Sequence, residues 1–345
     1  MQRLDRAQFF ERLAPVDDER LRKILWNLYW RGSAAMRQRI EDELDPEQPG
    51  RRRRAEVEAV DPKVALDQVT EFVGLARAGA YLAGDRRVSP RERTRWRFTF
   101  RRLVRDAELS LGDEASDGHA LEMLLDLAQE TRSYDYFRSE DPIEAARIVV
   151  SDEVASLWAR LRARLDFATF AGLAAPQLVR WESRYGWTRT GSGPTSEKEA
   201  SLATVLAPML PVRDMWLTFA DRFLEALDAV AQRAAKSRRN TWSHESGRST
   251  RASDLCEWNL MLLDRLFGGD GEDRLDAIAS HAALAGPELA YFRARLAQRR
   301  GQLDAARELA TQVLREWPGH RRFLDFAREI GAPLPAPSER RARGV

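Results

Sequence analysis

An all-α fold is expected for this chain, and three observations predict it. Apolar residues recur at three- and four-residue spacing through most of the sequence. Several segments open on Ser or Asp followed by Pro, a helix-start signature. No convincing run of alternating β-branched residues appears. The 345 residues, 43% hydrophobic with ten tryptophans, are those of a folded chain with room for two domains.

The elements follow in order. Asp17 and Asp18 precede Leu21, Ile24, Leu25 and Leu28, one apolar helix face that Gly32 stops. Ser33 caps a second helix carrying Met36, Ile40 and Leu44, ended at Asp45-Pro46 because a residue before proline leaves the helical region. The polar stretch 47–60, with Arg51 to Arg54 in a row, is expected to be a loop. Asp61-Pro62 starts a helix with Val69, Phe72, Val73, Ala76 and Ala80 on one side, up to Gly84.

Ser89-Pro90-Arg91-Glu92 is a capping box. Trp96, Phe98 and Phe100 alternate as in a strand, but the box and the spacing of Trp96, Phe100, Leu103 and Val104 predict a helix. Asp141-Pro142-Ile143-Glu144 repeats the capping plan, and periodicity continues through Ile148, Val149, Leu157, Leu161 and Leu165. Pro208 and Pro211 break the chain before a helix at 212–236. The residues at 237–253 are rich in serine, arginine and threonine without periodicity, and are expected to link a 1–236 helical, bundle-like domain to a 254–335 module. Residues 336–345 are expected to form a disordered tail.

In the module, 254–267 and 272–284 form one expected helical pair, ending at Gly286-Pro287. A second pair turns at Gly301-Gln302-Leu303-Asp304-Ala305-Ala306, and a last helix covers 321–330. The turn glycine Gly301, the small residues Ala294 and Ala306 and the terminal Pro318 resemble the tetratricopeptide repeat, a helix–turn–helix unit. Ala290, Ala297 and Ala310 depart from that pattern, which usually has larger residues there. One repeat cannot bury its own face, so neighbours are required. The resemblance implies a protein-binding groove lined by first helices, with Glu288, Tyr291, Arg295 and Gln298 as partner-contact residues on one face.

Composition narrows the function classes. The 56 basic and 54 acidic residues nearly cancel to a net +2, so only local patches can bind a polyanion. Only Lys23, Lys63, Lys198 and Lys236 are lysines, so 52 of the basic residues are arginines. The densest basic segment, 86–105, interleaves arginine with aromatics, and Arg91, Arg95, Arg102 and Arg105 are candidate anion ligands. Asp85, Glu92, Asp106 and Glu108 are near enough in sequence to pair with some of these, which favours a solvated face.

The single Cys256 excludes an internal disulfide and is expected in the core. His119, His244, His281 and His320 are isolated, so no metal or other cofactor is expected. No catalytic residue stands out. Gly186, Gly191 and Gly193 are spaced like a phosphate loop but lack its lysine; an enzyme would place its site there. Trp26 and Trp30, four apart, are expected in the core. The N-terminus has no apolar signal core, and no apolar run is long enough to span a membrane. The sequence therefore predicts a soluble cytoplasmic scaffold or regulatory adaptor with a protein or peptide partner; a nucleic-acid-binding regulator using 86–105 is the alternative.

Overall fold

The computed structural model describes residues 16–31, 60–82, 86–111, 118–131, 133–182, 193–240 and 255–336. Among them are fourteen α-helices and no strand, so the fold is all-α. The chain divides into two units, Met1–Ala59 and Val60–Val345. In the first, α1 (Asp18–Arg31) starts where Asp17 accepts the Arg20 amide at 2.7 Å. Trp26 and Trp30 are 58% and 69% exposed, not core residues as expected; they stack on each other with ring centroids 5.8 Å apart. The helix and loop expected at 33–60 lie outside the described residues, apart from Val60.

In the second unit, the local signals place most helix starts. α2 (Pro62–Arg77) opens on the Asp61 carboxylate, which accepts the Lys63 amide at 2.9 Å. It stops at Ala78-Gly79, short of the expected Gly84, which itself lies outside the described residues. α3 (Pro90–Leu109) carries the full capping box: Ser89 N–H donates to Glu92 Oε2 at 3.0 Å, and Glu92 N–H donates to Ser89 Oγ at 3.3 Å. α4 (His119–Glu130) has no side-chain cap and no start signal in the sequence.

Asp141 caps α5 (Pro142–Ala146) through the amides of Ile143 and Glu144. The helix ends after five residues, where Arg147 takes the left-handed conformation at φ 54. The periodicity expected to run on from there belongs to a separate helix, α6 (Val150–Arg164). α7 (Phe167–Trp181) is capped by Asp166 and holds Pro176 in its interior. α8 (Leu202–Leu206) and a single 3-10 turn (Ala207–Met209) lead to α9 (Arg213–Asn240), which overruns the expected linker by four residues. Residues 241–254 lie outside the described residues.

α10 (Cys256–Leu266), α11 (Glu272–Ser280), α12 (Pro287–Arg299), α13 (Leu303–Glu316) and α14 (Arg321–Glu329) complete the chain. The turn between α12 and α13 is closed by a Schellman motif. Gly301 sits at φ 74, its N–H reaches the Gln298 carbonyl at 3.0 Å, and Gln302 N–H reaches that of Ala297 at 2.9 Å. Ala294 and Ala306 are fully buried where α12 and α13 meet. Cys256 is buried, with its thiol directed at the Glu288 carbonyl. Of the expected tail, residues 337–345 lie outside the described residues.

Ten of the thirteen helices described in residues 60–345 stack in two rows. α2, α4, α7, α9 and α11 follow one another in contact; α3, α6, α8, α10 and α12 do the same. The rows are cross-linked by neighbours such as α2 with α3, α9 with α10, and α11 with α12. Every substantial contact joins helices at most three places apart in chain order, the near-neighbour pattern of quasi-one-dimensional stacks.

The expected boundary between a 1–236 domain and a 254–335 module does not separate two cores. One core runs from Ala65 on α2 to Leu296 on α12. Trp258 of α10 stacks on Trp216 of α9 at 5.5 Å and meets Phe219 and Phe223 edge-on, so α9 and α10 share one aromatic nucleus. A second cluster holds Cys256 of α10 with residues from Ala290 on α12 to Ala332 just past α14, among them Tyr291, Ala294, Ala306 and Phe323.

Candidate binding surfaces

Three of the four α12 residues expected to contact a partner, Tyr291, Arg295 and Gln298, meet α14 instead. Glu288 is 2% exposed, and Tyr291 is buried against Phe323 and Phe326, with centroids 5.0 and 5.3 Å away. Arg295 Nη1 donates to Glu329 at 3.1 Å and lies 5.0 Å from the Phe326 ring centroid. Gln298 Nε2 donates to the same carboxylate at 2.7 Å. The four residues do share one face, but it is an internal seam of the stack. The amphipathic pattern of 321–330 is the signal that a further helix claims this face.

The arginines of α3 stand differently. At 3.6 residues per turn, Arg91, Arg95, Phe98, Arg102, Arg105 and Leu109 fall within about 80° of one another around the helix. The opposite side buries Trp96, Phe100, Leu103, Val104 and Ala107. All four arginines are exposed, Phe98 is 53% exposed, and the Arg97 guanidinium lies 4.8 Å from its ring centroid. The nearby carboxylates are mostly engaged elsewhere. Glu92 closes the capping box, and Glu108 accepts the Ser156 hydroxyl at 3.0 Å. Asp106 pairs with Arg102 at 2.8 Å and approaches Arg105 at 3.6 Å. Arg102 also donates to Gln68 of α2 at 3.0 Å. The side chains of Arg91 and Arg95 form no ion pair or hydrogen bond among the described residues.

A third surface is assembled from α4, α7 and α9. Its groove, about 340 Å³, is lined by Glu122, Leu173, Pro176, Arg180, Arg222, Ala226, Ala229, Val230 and Arg233 among others. The walls are apolar: Leu173 is 40% exposed, and Ala229 and Val230 are half-buried. Pro176 has no N–H for the Gly172 carbonyl, so that oxygen loses its intrahelical donor beside the groove. At the inner end, Trp158 Nε1 donates to Gln177 at 2.8 Å, and Gln177 Nε2 donates to Glu122 at 2.7 Å. Burial holds the Glu122 carboxyl above its usual range, against the opposing pull of nearby His119 and Arg180. Arg180 reaches Asp126 at 3.4 Å and Arg222 reaches Glu225 at 2.8 Å, so both guanidiniums are partly satisfied. Arg233 has no ion pair among the described residues. Nothing in the sequence marks this groove, because its residues lie on three helices spread over 122–233.

The remaining candidates resolve briefly. Of the glycine-rich loop only Gly193 is described, and its Cα lies against the Glu144 carboxylate. Glu144 does not close a capping box on Asp141; it accepts the amides of Thr195 and Ser196 at 3.1 and 3.2 Å. Among the described residues, no group of three or more His, Cys, Asp or Glu is placed to hold a metal, and no helix is long and apolar enough to cross a membrane. No protein family, curated protein or solved structure matches the chain.

Proposed function

We propose that this protein is a non-enzymatic adaptor whose helical stack holds a segment of another polypeptide in the groove between α7 and α9. The observation that carries this reading is the groove's make-up: part-buried apolar walls three helical turns long, with Leu173 exposed, edged by Arg180, Arg222 and Arg233. From Arg222 to Arg233 the wall runs about 16 Å, the length of a short amphipathic helix lying in a groove. Three guanidiniums against Glu122 and Glu225 favour a segment with acidic side chains beside its apolar anchors. The groove replaces the α12 face, whose residues α14 already occupies.

The test is selection of binding peptides from a random library displayed on phage, using the full chain. Selected peptides are expected to share apolar residues at three- and four-residue spacing with acidic neighbours. They should lose binding to a Leu173→Asp, Arg233→Glu variant that melts like the parent. Peptides that bind this variant equally well sink the groove as the docking site.

A further inference from the structure

We infer that the outward face of α3 is a binding site for single-stranded nucleic acid, separate from the α7–α9 groove. Arg91, Arg95, Arg102 and Arg105 line one face of a straight helix, about 21 Å from first to last. That length suits an extended polyanion rather than one small anion. Arginine offers each phosphate a planar, bidentate donor pair. Glu92 and Glu108 lie on the flanks of the stripe and are engaged away from it, while Asp106 at its edge pairs with Arg102 at 2.8 Å and approaches Arg105 at 3.6 Å. Arg91 and Arg95 are therefore left with their full charge toward solvent.

The aromatic residue decides between occupants. Phe98 sits between Arg95 and Arg102 on the same face and is 53% exposed, an unusual place for a phenylalanine on so basic a surface. A ring presented among guanidiniums is a stacking platform for an unpaired base. Bases in a duplex are already stacked and offer no face to it, and a purely acidic chain such as polyglutamate has no ring to set on it. Arg97, 4.8 Å from the ring centroid, holds the ring in place and adds a further cation near the strand.

The experiment uses the full chain and fluorescein-labelled oligouridine and oligothymidine of about twelve nucleotides, followed by anisotropy. Binding is expected to weaken with salt at a log–log slope near −1.5 to −3, from about 0.7 per neutralised phosphate over two contacts at Arg91 and Arg95 and up to four where Arg102 and Arg105 leave Asp106. Arg91→Gln with Arg95→Gln should cut affinity about tenfold or more and leave melting unchanged, because neither side chain has a partner to lose. Phe98→Ala should cost about tenfold on its own, and Arg160→Gln, on α6, should cost nothing. The RNA and DNA arms tell which sugar is preferred, and either preference supports the site. Three results overturn it: no oligonucleotide binding at moderate salt, affinity untouched by the Arg91/Arg95 pair, or equal binding of duplex DNA or of a polyglutamate of matched charge. None of these bears on the α7–α9 groove, whose own test uses other residues.

Discussion

At the residue scale, the N-terminal turn of α6 holds two carboxyl groups in an unfavourable place. Glu153 Oε2 is buried without a hydrogen-bond partner, and burial first, then the nearby Glu108 and Asp152, pushes its pKa up to about 7. Glu199 is also raised to about 7 by burial, although it accepts the amides of Ser151 and Val150 at 2.8 and 3.0 Å. The unfolded chain releases these protons near the ordinary value of 4.5, and the folded chain holds them to about 7. Between those values the folded state binds more protons, so stability falls as pH rises through the window and is lowest above it. Glu153→Gln is expected to flatten part of that decline and to stabilise the protein by about 1–2 kcal/mol near pH 8, with little change near pH 4. Urea unfolding at the two pH values measures both, and an unchanged pH slope in the variant contradicts the assignment. Glu199→Gln is the harder change, since it disturbs the donors at the start of α6.

At the element scale, the pairing of α12 with α13 depends on two alanines. Ala294 and Ala306 have no exposed surface, so the helices approach as closely as a methyl group allows. Ala306→Arg is expected to overpack the crossing and drive a charge toward apolar neighbours, costing about 2–4 kcal/mol. Arg295→Ala removes a part-exposed ion pair to Glu329 and a contact with Phe326, and should cost only about 0.5–1 kcal/mol. Thermal melting of the full chain compares the two; equal effects would show that the crossing is not tightly packed. α5 and α6 teach the complementary lesson. The apolar spacing across 143–165 is continuous, yet the helix breaks at Arg147, whose left-handed backbone is a non-local choice. The break lets Glu144 turn to the amides of Thr195 and Ser196, and Glu199 to those of Val150 and Ser151.

At the scale of the whole molecule, a near-neighbour stack is cooperative only as far as its interfaces reach. The aromatic nucleus of Trp216, Phe219, Phe223 and Trp258 joins α9 to α10 across the residues between them. Arg274 adds a two-point ion pair from α11 to Asp221 of α9, at 2.7 and 2.8 Å. The composition of 237–253, rich in serine, threonine and arginine, predicts tryptic sites there, and since Arg238 and Arg239 fall within α9 the first cuts in limited digestion are expected at Arg248 or Arg251. The two pieces are expected to stay together on size exclusion, because separating them exposes three buried rings and Trp258 itself, worth several kcal/mol at about 25 cal/mol per Å². Pieces that elute apart would mean that the two sides of this cut are independent domains after all.

The sequence by itself determined the fold class and most helix starts. These depend on residues two or three positions apart: Ser89 with Glu92, Asp61 with Lys63, Asp141 with Ile143 and Glu144. It also determined the turn at Gly301, where a glycine takes positive φ, and, through the period of one helix, the burial of Cys256 and the side of α3 on which its arginines lie. Which faces remain open was decided only by the tertiary structure. The periodicity of α12 groups Glu288, Tyr291, Arg295 and Gln298 on one face but cannot say that α14 meets the last three of them. Trp26 and Trp30 have the spacing of a core pair and yet face solvent. The groove between α7 and α9 draws on residues about a hundred positions apart. Caps and turns are made by hydrogen bonds within one turn of chain, so the local sequence carries them. Burial depends on which distant helix arrives, and no short stretch of sequence contains that partner.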